Sequence, residues 1–113
     1  MAIQIFGTKK CKDTQKAERF FKERNIKYQF IDMKEKGMSK GEFTSVAQAV
    51  GGLDNVLNPE SKDKDALALI KYIADEDKIE KILENQQVIK TPVVRCGKSA
   101  TVGYNPEKWK EFV

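Results

Sequence analysis

The stretch IQIFGTKKC, residues 3–11, decides the fold, because it joins a short apolar run to a helical pattern through a glycine and a cysteine. Residues 3–6 are typical of a buried strand, and residues 26–32 are typical of a second one. Between them, apolar residues at helical spacing predict a helix over residues 12–24: Ala17, Phe20 and Phe21. A strand, a helix and a strand with short loops predict a right-handed βαβ unit with parallel strands.

The rest of the chain is predicted to be a helical segment followed by a hairpin and a last helix. From about residue 39 to residue 85 the pattern is helical, and Ser39 to Glu42 has the spacing of a capping box. Residues 92–96 and 99–103 flank a glycine turn and predict a hairpin. Asn105-Pro106 then starts a short helix that carries Trp109 and Phe112 inward. The predicted fold class is α/β, in one domain over residues 1–113, with a four-stranded mixed sheet in the order β-α-β, helical insertion, β-β-α.

Composition excludes several classes of function. The chain has 113 residues and a net charge of +4, but its 21 basic and 17 acidic residues are interspersed, so no direct nucleic-acid partner is expected. No apolar run approaches the roughly 20 residues that cross a bilayer, so we expect a cytoplasmic protein without a membrane partner. Two cysteines and no histidine cannot form the usual zinc site, so no metal is expected, and they leave no imidazole base for a nucleophile.

Cys11 is the candidate nucleophile, because it is predicted to lie at a helix N-terminus beyond the carboxyl end of a parallel strand. Backbone N–H groups there favour an anion, and Lys9, Lys10 and Lys12 add positive potential. The hydroxyl of Thr14 could donate a hydrogen bond to the thiolate. The alternative is that Cys11 is an unreactive turn residue among solvated lysines.

Lys90-Thr91-Pro92 is the second candidate feature, since a proline opens the predicted third strand. A proline is acceptable at a strand's first residue. A cis Thr91-Pro92 bond would instead present the Thr91 backbone to Cys11 as a docking edge for an extended thiol substrate. Cys96 is a candidate resolving cysteine, but about four residues of strand, or ~13 Å, separate it from Pro92. Because a disulfide needs Cα atoms within ~7 Å, we interpret Cys96 as a packed strand residue.

These motifs together resemble the ArsC/Spx/YffB family over nearly the whole chain. The resemblance rests on residues 5–11 with Lys16-Ala17, on residues 91–94 and on residues 102–104. It implies a thioredoxin-like, three-layer fold with a helical insertion at about residues 39–85. It also implies that Pro92 is cis and that Cys11 is the family's nucleophilic cysteine.

The family resemblance implies several activities, and the chain departs from two of them. Arsenate reductases of the family hold the oxyanion with arginines, which bind it bidentately. Here Thr91 stands where one of those arginines precedes the proline, and the other falls near Tyr104. Three cationic residues could partly replace them as anion contacts: Lys9, Lys90 and Arg95. Spx-type regulators bind RNA polymerase and sense oxidation through a C-x-x-C pair, but the second position here is Thr14.

The remaining interpretation is a thiol oxidoreductase that uses Cys11 alone and needs no bound cofactor. Glutathione as co-substrate and glutaredoxin or another thiol donor would be its partners, since one low-pKa cysteine can exchange with a mixed disulfide without a base. Lys12 and Thr14 would stabilise the thiolate, and Thr91-Pro92 would dock the substrate. Genuine arsenate reduction, binding to RNA polymerase, and a non-catalytic interaction protein stay open as alternatives.

Overall fold

A four-stranded mixed sheet organises residues 2–112, which the computed structural model describes. Its strand order is β2-β1-β3-β4. The strands are β1 (Ile3–Gly7), β2 (Tyr28–Asp32), β3 (Val93–Cys96) and β4 (Ser99–Val102). β1 pairs in parallel with β2 and antiparallel with β3, and β3 pairs antiparallel with β4. The predicted mixed sheet, parallel βαβ unit and hairpin are therefore confirmed.

Five α-helices connect and cover these strands. They are α1 (Lys12–Glu23), α2 (Lys40–Ala49), α3 (Lys64–Tyr72), α4 (Asp75–Glu84) and α5 (Pro106–Trp109). β2 begins two residues later than predicted, because residues 24–27 form the connection between α1 and β2. In that turn Asn25 adopts a φ of 58° and Ile26 donates its N–H to Phe21 O at 2.9 Å.

The helical segment agrees with the prediction at its start but not along its whole length. At α2, Ser39 and Glu42 form both hydrogen bonds of the predicted capping box, at 3.2 and 2.9 Å. Residues 56–63 are not helical, because their backbone pairs with the segment before β3: Leu57 bridges Ile89, and Val56 O accepts the Lys90 N–H at 2.8 Å. Helix α4 begins at Asp75, directly after the N-cap Ala74.

Two apolar cores lie on opposite faces of the sheet. On one face Ile5 and Val94 pack with α1 and with the fully buried Trp109 of α5. On the other face Phe6 and Val93 pack against α2, α3 and α4. The alternation of Ile5 and Phe6 along β1 places helices on both faces, since successive strand residues point to opposite sides. This is the three-layer, thioredoxin-like arrangement that the resemblance implied.

Residues 2–112 contain neither a membrane-spanning helix nor a metal-binding cluster. No helix in that range is long and apolar enough to span a bilayer. The same residues contain no group of three or more His, Cys, Asp or Glu side chains placed to hold a metal ion.

Candidate active site

Cys11 is the N-cap of α1, four residues after the end of β1. Its φ and ψ of −75° and 118° are extended, and its carbonyl accepts the Gln15 N–H at 3.1 Å. Its own N–H donates to Thr8 O at 3.2 Å and closes the turn that leads into the helix. At an N-cap a side-chain oxygen normally accepts the free N–H groups of the first turn. Here a sulfur occupies that place.

Thr91 faces the same sulfur from the other side of the site. The antiparallel register pairs Phe6 with Val93, so the end of β1 lies beside the start of β3. Thr91 Oγ1 donates to Cys11 Sγ at 3.1 Å, and Thr91 O lies 3.9 Å from Sγ. The Thr91-Pro92 bond is cis. The site therefore joins two segments that are 80 positions apart in the chain.

The pKa of Cys11 is lowered by this surrounding. Partial burial of the thiol by itself would raise the pKa, since burial disfavours the charged thiolate. The hydroxyls of Thr14 and Thr91 and the backbone N–H groups of Thr14 and Asp13 outweigh burial and lower it. Thr14 Oγ1 is buried and has no hydrogen-bond partner of ordinary geometry among the described residues, so its proton is available to a thiolate.

Gly7 allows α1 to approach the end of β1 this closely. A Cβ at residue 7 would lie 2.6 Å from Thr14 Cγ2 and closer still to Thr14 Oγ1. Such separations are too short for non-bonded atoms, so only glycine fits without moving Thr14. Gly7 thereby sets the depth at which Thr14 sits beneath the sulfur. The strand ending at a glycine was visible in the sequence, but this packing role was not predicted.

The predicted lysines take a smaller part than expected. Lys9 and Lys12 are exposed, and the lowered pKa of Cys11 arises from hydrogen bonds rather than from their ammonium groups. Water and salt screen exposed charges of this kind. Lys90 is also exposed, and its side chain lies over Gly103, where its Cε would be 2.8 Å from an added Cβ. The groups that lower the pKa of Cys11 include the predicted Thr14 and also Thr91, while the thiolate-stabilising role of Lys12 stays a prediction.

Arg95 does not join the site. Its Nη1 donates to Gln4 Oε1 at 3.0 Å and lies 4.0 Å from Glu42 Oε2 of α2. Arg95 lies three residues beyond Pro92 along β3, about 10 Å at ~3.3 Å per residue. The register pairs it with Gln4, whereas Cys11 follows the opposite end of β1. Strand direction and the contacts with Gln4 and Glu42 therefore place Arg95 away from Cys11, and the anion contact expected of it stays a prediction.

Cys96 lies at the far end of β3, paired with Ile3, and is 4 % exposed within the core beneath α1. It is free, as is Cys11. Its place in the core agrees with the interpretation of a packed strand residue. The hydroxyl of Thr91 is the functional group that the sequence analysis missed, because only its backbone was expected at the thiol. The register of β1 and β3 would have been needed to find it.

Comparison with known proteins places this geometry in a family. The model of the ArsC family matches residues 6–112. The chain is 25% identical over 115 residues to the global transcriptional regulator Spx 2 of Oceanobacillus iheyensis, a match that covers all of this chain and 84% of that protein.

Two solved structures are similar along nearly their whole length. An arsenate reductase from Vibrio cholerae superposes with a TM-score of 0.85 at 22% identity, covering 100% of this chain and 98% of that one. A YFFB protein superposes with a TM-score of 0.81 at 29% identity, covering 96% of each chain. The family match spans α1, the helical segment and the hairpin alike. The chain belongs to the ArsC family.

Proposed function

We propose that this chain is a thiol oxidoreductase in which Cys11 alone performs thiol–disulfide exchange, with glutathione or glutaredoxin as the thiol partner. The observation that supports this most strongly is the hydrogen bond from Thr91 Oγ1 to Cys11 Sγ, 3.1 Å long, at the start of α1. A thiolate is the attacking form in disulfide exchange, and hydrogen bonds to it increase its fraction at neutral pH.

The proposed reaction has two exchange steps and uses no bound cofactor. The Cys11 thiolate attacks one sulfur of a disulfide, RS–SR′, so that a Cys11–SR bond forms and R′S⁻ leaves and takes up a proton from water. A second thiolate, R″S⁻, then attacks the sulfur of R, releases RS–SR″ and restores the Cys11 thiolate. The net reaction converts RS–SR′ and R″SH into R′SH and RS–SR″, so the sulfur of R′ is reduced, the sulfur of R″ is oxidised, and Cys11 returns to its starting state. The Thr91 and Thr14 hydroxyls stabilise the leaving Cys11 thiolate in the second step.

Arsenate reduction is less well supported, because the chain offers no guanidinium beside the thiol. The chain contains three arginines. Arg95 is held by Gln4 and Glu42, while Arg19 lies along α1 and Arg24 packs on the Phe20 ring at its end, 3.7 Å from the ring centre. The fork that binds an oxyanion bidentately is therefore missing.

Two non-enzymatic alternatives make different predictions about Cys11. A regulator that binds RNA polymerase and switches by a C-x-x-C disulfide would need a cysteine at residue 14, where the chain has the buried Thr14. An interaction protein that has lost its chemistry would leave Cys11 with the reactivity of a free thiol. The lowered pKa of Cys11 favours the reactive form instead.

The test is chemical modification of Cys11 in a Cys96→Ser background, with Cys11→Ser as the blank. The rate of alkylation by iodoacetamide should reach half its maximum at a pH below ~8.5, which is the pKa of a free thiol. Incubation with glutathione disulfide should add one glutathione to Cys11, measured by mass spectrometry, and added glutaredoxin should remove it.

The proposal would be overturned if the alkylation rate were half-maximal at a pH at or above ~8.5 and no mixed disulfide formed between Cys11 and glutathione. A non-catalytic interaction protein would then be the best explanation. Protection of Cys11 by arsenate, but not by glutathione, would transfer the assignment to arsenate reduction.

A further inference from the structure

A groove between α1 and α5 lies outside the active site and takes no part in the exchange reaction. It is open to solvent and has a volume of about 400 Å³. One wall is formed by residues 16–24 of α1 and its C-cap, and the other by residues 104–110. One end adjoins the active site, because Gly103, the residue before Tyr104, donates its N–H to Pro92 O at 2.9 Å.

The groove carries an excess of positive charge. Its lining has four cationic and two anionic side chains: Lys16, Arg19, Arg24, Lys110, Glu23 and Glu107. Glu107 pairs with Lys110 at 3.5 Å. Within residues 2–112, Arg19 and Glu23 form no ion pair, and the Arg24 guanidinium donates to Phe20 O at 3.1 Å rather than to a carboxylate. Both guanidiniums are therefore available to an anionic ligand, and their planar forks suit carboxylates.

Aromatic rings hold the cations of the groove in place. The Arg24 guanidinium lies 3.7 Å from the centre of the Phe20 ring, and Lys16 Nζ lies 5.1 Å from the centre of the Tyr104 ring. Both rings contact Trp109, at centre-to-centre distances of 5.5 and 5.6 Å. Tyr104 is nevertheless 53 % exposed. Exposed tyrosine and arginine side chains are typical of the residues that dominate binding at protein interfaces, which favours a protein partner.

The spacing of the charges fits a peptide in an extended conformation. Arg19 and Arg24 are five positions apart, or about 7.5 Å along the helix axis. Side chains at alternate positions of an extended segment are ~6.6 Å apart, a similar distance. Glu23, which lies between the two arginines in the chain, can accept a backbone N–H from such a segment. A nucleic-acid backbone offers no such donor, and Glu23 and Glu107 would repel its continuous row of phosphates.

We propose that the groove between α1 and α5 binds an extended acidic segment of a partner protein. Carboxylates at alternate positions of the segment pair with Arg19 and Arg24, and a backbone N–H between them bonds to Glu23. The proposal concerns binding alone, so it goes beyond the exchange reaction and does not depend on the chemistry of Cys11.

The experiment uses the full chain and a capped peptide with aspartates at alternate positions, Asp-Val-Asp-Val-Asp. The analogue with asparagine in place of aspartate is the neutral probe, and a short oligothymidylate is the nucleic-acid probe. Trp109, the only tryptophan of the chain, reports binding by its fluorescence because it contacts both Phe20 and Tyr104. Backbone amide shifts measured by NMR locate the bound peptide.

Arg19→Gln is the test variant, and Arg19→Lys keeps the charge but removes the fork. Lys22→Gln is the matched control, since it removes the same charge from an exposed residue of the same helix outside the groove. Urea unfolding checks that each variant is folded. Cys11→Ser separates binding in the groove from binding at the thiol.

We expect the acidic peptide to shift amides of residues 16–24 and 104–110, and Arg19→Gln to weaken its binding by about two- to five-fold at low salt. Arg19→Lys should weaken binding by less, while Lys22→Gln and Cys11→Ser should bind the peptide as the native chain does. High salt should weaken binding, since it screens exposed charges.

Four results would overturn the proposal. The first is that the acidic peptide binds no better than its neutral analogue. The second is that Arg19→Gln and Lys22→Gln weaken binding equally, which would show a general charge effect. The third is tighter binding of the oligothymidylate than of the acidic peptide, which would indicate a nucleic-acid surface. The fourth is loss of binding in Cys11→Ser, which would place the peptide at the thiol.

Discussion

Two threonine hydroxyls and two backbone N–H groups, rather than neighbouring cations, tune Cys11. Each of these donors stabilises the thiolate more than the thiol, and together they overcome the opposing effect of burial on the pKa. The three lysines around Cys11 drew attention in the sequence, yet Lys9 and Lys12 are solvent-exposed. Hydrogen bonds within a half-buried site act at short range and escape the screening that weakens exposed charges.

Removing one hydroxyl should raise the pKa of Cys11. Thr91→Val keeps the side-chain shape and deletes the donor at 3.1 Å. Since a hydrogen bond to a charged group contributes ~1.5–3 kcal/mol, alkylation at neutral pH should slow by about tenfold or more. The measurement is the pH profile of iodoacetamide labelling. Thr44→Val, which removes an exposed helix hydroxyl bonded to Lys40 O, is the control and should leave the profile unchanged.

The lowered pKa also predicts how stability depends on pH. The folded chain releases the Cys11 proton at a lower pH than the unfolded chain, so the thiolate contributes stability above the unfolded pKa of ~8.5 and loses it as pH falls through the folded pKa. The free energy of unfolding of the Cys96→Ser chain, measured in urea, should therefore increase relative to that of its Cys11→Ala derivative as the pH rises toward ~8.5. A difference that is constant between about pH 5 and pH 10 would contradict the lowered pKa.

At the scale of elements, the packing of β1 against α1 determines the depth of Thr14 below the sulfur. Gly7→Ala should force the two apart, because its Cβ would overlap Thr14, and should cost ~1–3 kcal/mol. It should also slow Cys11 alkylation. Gly41→Ala in α2 is the matched control, since nothing lies within 4 Å of its Cβ, and it should be neutral or stabilising by up to ~1 kcal/mol. Urea unfolding measures the change in stability, and the labelling rate measures the change at Cys11. An equal loss of stability in the Gly7→Ala and Gly41→Ala variants would refute the close approach of α1 to the end of β1.

The elements could be predicted because local patterns specify them. Periodicity located α1, a two-bond capping box located the start of α2, and a proline and a glycine turn located β3 and β4. Arg95 could not be placed in the same way. Alternation gives its face of the sheet, but the partners that hold it, Gln4 and Glu42, come from another strand and another helix. Side-chain contacts over such distances depend on register and helix packing, which local patterns do not contain.

At the scale of the whole molecule, one buried hydrogen bond ties the sheet to the last helix. Trp109 Nε1 donates to Thr101 Oγ1 of β4 at 2.8 Å, and both residues are buried. Thr101→Val leaves this N–H buried without its partner, which should lower the free energy of unfolding by ~1–3 kcal/mol. The labelling profile of Cys11 should not change. Thr101→Ser keeps the hydroxyl that accepts the Trp109 N–H, so it should lower the free energy of unfolding by less. A larger decrease with Ser than with Val would argue against the hydrogen bond as the cause.

The register between β1 and β3 has a consequence for the protein during its synthesis. Cys11 leaves the ribosome before Thr91, which completes its hydrogen bonds and is made 80 residues later. Because chains are made at about 5–20 residues per second, several seconds pass in which the nascent thiol lacks this donor. The cysteine thus acquires its full acidity only when the hairpin has joined the sheet, so that an unfinished chain is less exposed to premature oxidation.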